Sequence, residues 1–287
     1  MGIEFNAVQF LRYATKKAPL GNVATLGRLS LDIPEGRLRT LLPLPANYKH
    51  EQFADNFLRN QFAAKSVESF DNSPYEGANH IADMNQPLPI QFPQYDTILD
   101  FGTLEHIYIA PQAFKNLSEL CAKGGQILHI LPANNLCGHG FWQFSPELFF
   151  SLYSSENGYR DTQIFLADIS QEKFWYRVSP PIHGQRIELD TWARLYVMCR
   201  TVKSANASQE NIQQSDYLVR WADEKPEAAK PAPIEPSAKA RKKRPVRHDS
   251  ITRSIDLMRY LCASLKGDLT TRGQHPSITK IPIESLL

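Results

Sequence analysis

The sequence predicts an α/β fold in which a mostly parallel sheet carries helices on both faces. Three observations point there. Short apolar, β-rich runs alternate with helix-period segments between residues 22 and 201. Several of those runs close on an acid or an amide, and a Gly-Gly turn separates one helix from the strand after it. With 287 residues, 42% of them hydrophobic and 22% charged, the chain can bury a full core.

The elements follow in order. Val8, Leu11 and Ala14 recur at helical spacing until Pro19-Leu20-Gly21 ends the run. Residues 22–26 are short and β-rich and lead into Gly27, as a buried strand entering a ligand loop would. Residues 28–47 hold three prolines and little periodicity, and are expected to form a long loop. Phe53, Phe57, Leu58 and Phe62 mark a helical face ending near Ala64. Residues 66–70 read as a strand closed by Asp71, 78–82 as another closed by Asp83, and 95–101 as a third. A helix is expected over 111–122, with Pro111 suited to its first turn. The Lys123-Gly124-Gly125 turn then feeds a strand over 126–131, stopped by Pro132. Ser145-Pro146-Glu147 supplies an N-cap and first turn for a helix to about Ser154. Residues 162–167 and 192–201 complete the strands.

Composition changes after about Trp221. Residues 223–249 contain five prolines and the basic run Lys239-Ala240-Arg241-Lys242-Lys243-Arg244, a linker composition that cannot build a core. Beyond it Ile251, Ile255, Met258, Leu261, Cys262 and Leu265 share one helical face. The expected organisation is therefore a domain over 1–222, a Pro- and Lys-rich linker over 223–249, and an amphipathic helix with tail over 250–287. The apolar face of that helix predicts docking on its own core or formation of a homo-oligomer.

Charge and cysteine usage exclude several classes. Thirty-two Lys and Arg against 30 acids leave a net charge of +2, which gives no global case for nucleic-acid binding. The basic run has no interleaved aromatics for base stacking and reads as a solubilising linker. No apolar run reaches the ~18 residues of a membrane span, and the N-terminus lacks a signal-peptide pattern, so a soluble cytoplasmic protein is expected. Cys121, Cys137, Cys199 and Cys262 are too scattered for a CxxC site or a disulfide framework. No metal ligands are assigned.

Ligands of open parallel sheets bind beyond the carboxyl ends of the strands, near the reversal of strand order. The residues placed there are Gly27, Asp71-Asn72-Ser73, Asp83-Met84-Asn85, Asp100 with Gly102, and Asn134-Asn135. A carboxylate at Asp71 can receive both hydroxyls of a ribose, or can cap a turn at the strand end. Asp83 can meet an adenine edge in the same way. The loop Pro132-Ala133-Asn134-Asn135-Leu136-Cys137-Gly138-His139-Gly140-Phe141-Trp142-Gln143-Phe144 gathers amides, glycines and aromatics around one histidine. Its functional reading is an acceptor site with His139 as general base; its structural reading is a loop pinned to the sheet by aromatics. His106 is the rival base. His129, inside a strand, reads as a core residue, and Ser145 lacks the Gly-x-Ser-x-Gly context of a nucleophile.

The run Tyr95-Asp96-Thr97-Ile98-Leu99-Asp100-Phe101-Gly102-Thr103-Leu104-Glu105-His106-Ile107, the helix after it, and Ala122-Lys123-Gly124-Gly125-Gln126-Ile127-Leu128-His129-Ile130-Leu131-Pro132 resemble class I S-adenosylmethionine-dependent methyltransferases. The resemblance extends back through Asp83 and Asp71 and forward to about Thr201, with the last two strands as the family's closing antiparallel pair. It implies a Rossmann-like class I methyltransferase fold and S-adenosylmethionine as cofactor. The implied cofactor residues are Gly27, Asp71, Asn72, Ser73, Asp83, Met84, Asp100, Gly102 and Glu105. Asn134, Asn135, His139, Phe141, Trp142 and Gln143 would meet the acceptor, with His139 or His106 catalytic. The implied reaction is O-methylation of a small polar acceptor, such as a sugar or glycan intermediate, without a metal. One departure stands out. Thr25-Leu26-Gly27-Arg28-Leu29 has a single glycine where the family has several, and 44 residues separate Gly27 from Asp71, against ~20 in an ordinary nucleotide-binding unit. Either the cofactor is held in a modified way or its binding is lost, leaving a scaffold on a degenerate fold. A nucleic-acid methyltransferase using the basic linker is the third reading.

Overall fold

Period-two alternation along the strands sorts their side chains onto two faces of one sheet. In the strand through His129, Ile127 and Leu131 pack on one side while Leu128 and Ile130 pack on the other. The computed structural model describes residues 2–89, 92–181, 186–187, 189, 191–205, 207, 212–223, 255, 258, 262 and 276–287. Its strands are β1 (Asn22–Leu26), β2 (Ser66–Asp71), β3 (His80–Ile81), β4 (Tyr95–Phe101), β5 (Cys121–Asn134), β6 (Tyr159–Asp168), β7 (Phe174–Val178), β8 (Leu195–Lys203) and β9 (Ile278–Pro282). They form one sheet in the order β3-β2-β1-β4-β5-β8-β6-β7-β9. The first five pair in parallel and the rest antiparallel. This is the Rossmann-like methyltransferase arrangement that the sequence predicts, with β8 and β6 as the closing antiparallel pair.

The helices are α1 (Phe5–Thr15), α2 (Glu35–Leu41), α3 (Asp55–Phe62), α4 (Ala110–Leu120), α5 (Pro146–Leu152) and α6 (Ser215–Asp223). Apolar residues of α1 and α3 join Val23, Val67 and Leu99 on one face. Those of α4 and α5 join Ala24, Ile98 and Ile127 on the other. Ser145 caps α5 as expected, accepting from the Glu147 N–H at 3.2 Å. The central β8 is buried along its whole length, as a strand covered on both faces must be.

The structure corrects several expectations. The segment 28–47 is not a plain loop, because α2 forms behind Pro34 and is braced by the Glu35–Arg39 pair at 2.7 Å. Leu29, Leu31 and Ile33 enter the core, so the crossover from β1 to β2 is rerouted through packed backbone. The β3 strand is two residues long, and β5 continues past Pro132 through a register shift. Two strands escaped sequence reading. β7 is five residues, and β9 lies beyond the linker, yet β9 pairs along β7 and brings Ile278 and Ile283 into the core. Contrary to the sequence expectation, the strands are thus not complete at residue 201. The linker over 224–249 lies outside the described residues, as do Ile251, Leu261 and Leu265 of the amphipathic helix expected there. Ile255, Met258 and Cys262 are exposed.

Candidate active site

Strand order reverses between β1 and β4, and the crevice beyond their carboxyl ends is where this topology places a ligand. The chain leaves β1 through Gly27 (φ +72) and β4 through Gly102 (φ +89). The Thr103 hydroxyl donates to the Leu26 carbonyl at 2.8 Å, and a Cβ on Gly27 would lie 2.7 Å from that hydroxyl oxygen. Gly27 is therefore required by Thr103, whose hydroxyl ties the end of β4 to the end of β1. Arg28 donates to the carbonyls of Glu76 (2.6 Å) and Gly77 (3.3 Å), pairs with Asp55 at 3.4 Å, and stacks on Phe53. It ties the loop after β1 to the loop after β2.

The expected cofactor residues divide into groups. Asp71 ends β2, where Oδ1 accepts the Ser73 N–H at 3.1 Å in an Asx turn, and the Ser73 hydroxyl accepts from Tyr75. Asn72 beside it is exposed. Asp83 accepts the side chain and then the backbone N–H of Asn85, and these bonds hold its acid below the usual value. Met84 is buried, and its carbonyl takes the Asn116 amide at 3.2 Å. Asp100 sits in the core at the end of β4. It is fully buried, Oδ1 accepting the N–H groups of Thr103 and Leu104, Oδ2 lying 2.7 Å from His129 Nδ1. His129 Nε2 in turn lies 2.7 Å from the Tyr153 hydroxyl. Asp100 thus shapes the turn and anchors a core network, and His129 is the core residue the sequence predicted.

A different cluster forms beside the crevice. Leu104–His106 make a 3-10 turn that buries the Glu105 side chain completely and leaves His106 half exposed. The Gly138-His139-Gly140 loop lies across it. Phe141 N–H donates to the Glu105 carbonyl at 2.7 Å, and the Trp142 indole donates to the Ile107 carbonyl at 2.9 Å. At Gly140 (φ +80) a Cβ would stand 2.7 Å from both Glu105 Cγ and the Glu105 carbonyl, so only glycine allows this approach. As a result His139 Nε2 lies 3.3 Å from Glu105 Oε1 and His106 Nε2 lies 3.9 Å from it. The two imidazole rings are 5.4 Å apart, centre to centre. Proximity is not hydrogen bonding here: both Glu105 oxygens and His139 Nε2 are buried without an aligned partner. Burial first, and the Asp100 charge second, push the Glu105 acid up to about 8. Burial also lowers the His139 and His106 pKa values, His106 further through the His139 charge.

The expected acceptor residues are brought together only in part. The Asn135 amide bonds the carbonyls of Thr191 and Ala193, and Gln143 accepts the Leu136 N–H at 2.9 Å, so both hold the loop. Asn134 ends β5, half-buried. Phe141 is 70% exposed and lies edge-on to Tyr108. Trp142 and Gln143 join Ile109, Pro111, Phe144 and Leu148 around an open cavity of about 690 Å³. Thr103, Arg28 and Tyr153 carry roles that the sequence did not signal.

No protein-family model matches the chain, and no curated protein matches it in sequence. Solved structures do resemble it. The N-methyltransferase NodS from Bradyrhizobium japonicum is 13% identical with a TM-score of 0.37, covering 69% of this chain and 93% of NodS. The YcgJ protein of Bacillus subtilis is 9% identical with a TM-score of 0.39, covering 70% and 99%. StiE O-MT is 15% identical with a TM-score of 0.37, covering 75% and 78%. The assignment of fold rests on the strand order and pairing described above.

Proposed function

We propose that the chain transfers the methyl group of S-adenosylmethionine to a hydroxyl oxygen of a small polar acceptor of the sugar or glycan-intermediate class. The observation that supports this most is the placement of Glu105 and His139 together at the carboxyl ends of β4 and β5, beside the reversal of strand order. Asp71 ends β2, on the other side of β1, with Oδ1 already in a turn, which leaves Oδ2 for a ribose hydroxyl. The reaction is an in-line displacement at a sulfonium methyl: the acceptor oxygen forms a bond to carbon as the carbon–sulfur bond breaks. The protein's part is alignment and removal of the hydroxyl proton. With His139 Nε2 buried beside Glu105, Nδ1 is the nitrogen left to take that proton.

Two observations favour a second reading, a non-catalytic scaffold on a degenerate fold. Thr103 already fills the space over Gly27, and Arg28 already spans the loops after β1 and β2. The test between them is transfer of a labelled methyl group from S-adenosylmethionine to a panel of hydroxyl-bearing sugars and sugar nucleotides. Label in any of them supports methyl transfer; none, with no cofactor affinity, supports the scaffold. No described helix is long and apolar enough to cross a membrane. We place the enzyme in the cytoplasm and assign self-association to the helix bearing Ile255 and Met258.

A further inference from the structure

We propose that Glu105, His106 and His139 form a binding site for one divalent transition-metal ion of the zinc type. Each residue offers a ligand atom, and the three atoms lie within 4.8 Å of one another. Around a tetrahedral ion with bonds of ~2.0–2.1 Å, ligand atoms stand ~3.3–3.4 Å apart. Glu105 Oε1 and His139 Nε2 already have that separation, at 3.3 Å, and His106 Nε2, 3.9 Å from the same oxygen, moves inward to complete the set.

The burial pattern points the same way. The Glu105 carboxyl is completely buried, yet neither oxygen has a hydrogen-bond partner, and His139 Nε2 is buried without one as well. Buried polar atoms are normally paired, and leaving a charged group unpaired costs more than a neutral one. An ion between them satisfies all three atoms at once. His106 and His139 are partly exposed, with side chains 51% and 37% accessible, so a fourth position faces solvent. The frame is built as a metal shell should be. The Phe141 N–H and the Gly140 contact fix the loop against Glu105, and the 3-10 turn fixes His106 next to it. Two imidazoles and one carboxylate select zinc, cobalt or nickel over magnesium and calcium, which take oxygen ligands. No ligand spacing announces this site, since Glu105 and His139 are 34 residues apart, and the sequence reading assigns no metal ligands.

The ion and the proposed base step exclude each other. Metal on His139 Nε2 forces the ring proton onto Nδ1, which then has no lone pair for the acceptor hydroxyl. A bound ion would therefore switch off methyl transfer.

The test uses the full-length, tag-free chain, stripped with a chelator and dialysed against zinc or cobalt(II) without cofactor or acceptor. We expect one ion per chain by elemental analysis, and for cobalt the visible absorption of a four-coordinate site. Glu105→Gln, His106→Ala and His139→Ala should each weaken binding by at least about tenfold, while millimolar magnesium competes with none of them. His106 is half exposed, so its variant stays folded even if the Glu105 variant does not. His80→Ala, at the separate His80–Glu68 pair, should leave the affinity unchanged. No stoichiometric ion, affinity unchanged in all three variants, or affinity lost in His80→Ala instead would each overturn the proposal. Because the readout is metal content, it stands apart from whether methyl transfer occurs.

Discussion

Gly138 and Gly140 flank the same histidine, yet alanine at the two positions should behave very differently. A Cβ at Gly138 meets nothing within 4 Å, whereas at Gly140 it would stand 2.7 Å from Glu105 Cγ and from the Glu105 carbonyl. The carbonyl is backbone and cannot swing away, so the loop must lift. Holding alanine at φ +80 costs about 1–2 kcal/mol relative to glycine. Losing the 2.7 Å bond from Phe141 N–H to the Glu105 carbonyl adds about 0.5–1.5 kcal/mol. Gly140→Ala should therefore destabilise the loop by about 1.5–3.5 kcal/mol and Gly138→Ala by less than about 0.5 kcal/mol. Urea unfolding gives the global change, and amide exchange at Phe141 gives the local one if the loop opens before the domain does. Equal effects in the two variants, with Phe141 protection retained in Gly140→Ala, would refute the account of how His139 is held over Glu105.

Other perturbations have equally definite outcomes. In a methylation assay with the true acceptor, His139→Ala should cut turnover ~10²–10⁴-fold with cofactor affinity within a factor of a few; collapse in His106→Ala alone would reverse the two roles. Deleting residues 276–287 removes β9 and the buried Ile278 and Ile283. The cost is at least that of one Ile→Ala change, about 2–5 kcal/mol, so the midpoint in urea should fall; an unchanged midpoint would mean β9 is not part of the fold. Glu68 accepts from His80 and the Tyr95 hydroxyl, which hold its acid below the usual 4.5. Its contribution is thus present above the unfolded-state value and lost as pH falls through the lower folded value. Glu68→Gln should flatten the acid limb of a stability–pH curve by no more than about 1 kcal/mol, because the side chain is 35% exposed and solvent screens it.

Much of this architecture was legible because local and global signals agree in it. Residues 95–132 combine a buried strand, a Leu-Glu-His turn and a helix, each where expected, while the Gly-Gly pair falls inside β5 at a register shift rather than in a turn before it. What stayed hidden depends on distant partners. The β9 run Ile-Thr-Lys-Ile-Pro carries too short a pattern to read as a strand, and only the free edge of β7 makes it one. The helix α2 was masked by prolines on either side, although Pro34 sits where a helix tolerates it. The site was half legible. The Gly-His-Gly loop announced His139, but nothing local says that Glu105 turns inward while His106 turns out. A glutamate is seldom fully buried, and here the loop laid across the turn decides it. The bond from Asp100 to His129 stays hidden for the converse reason: His129 is its neighbour across β5, a relation only the register supplies.

The central claim is that the crevice between β1 and β4 binds S-adenosylmethionine. Isothermal titration of the full-length chain with S-adenosylmethionine, and with its demethylated product, addresses it most directly. The account predicts saturable binding of one molecule per chain, weakened at least about tenfold by Asp71→Ala in a folded protein as charge-assisted bonds to the ribose are lost. No heat of binding for either form at millimolar concentration would contradict it and leave the scaffold reading standing.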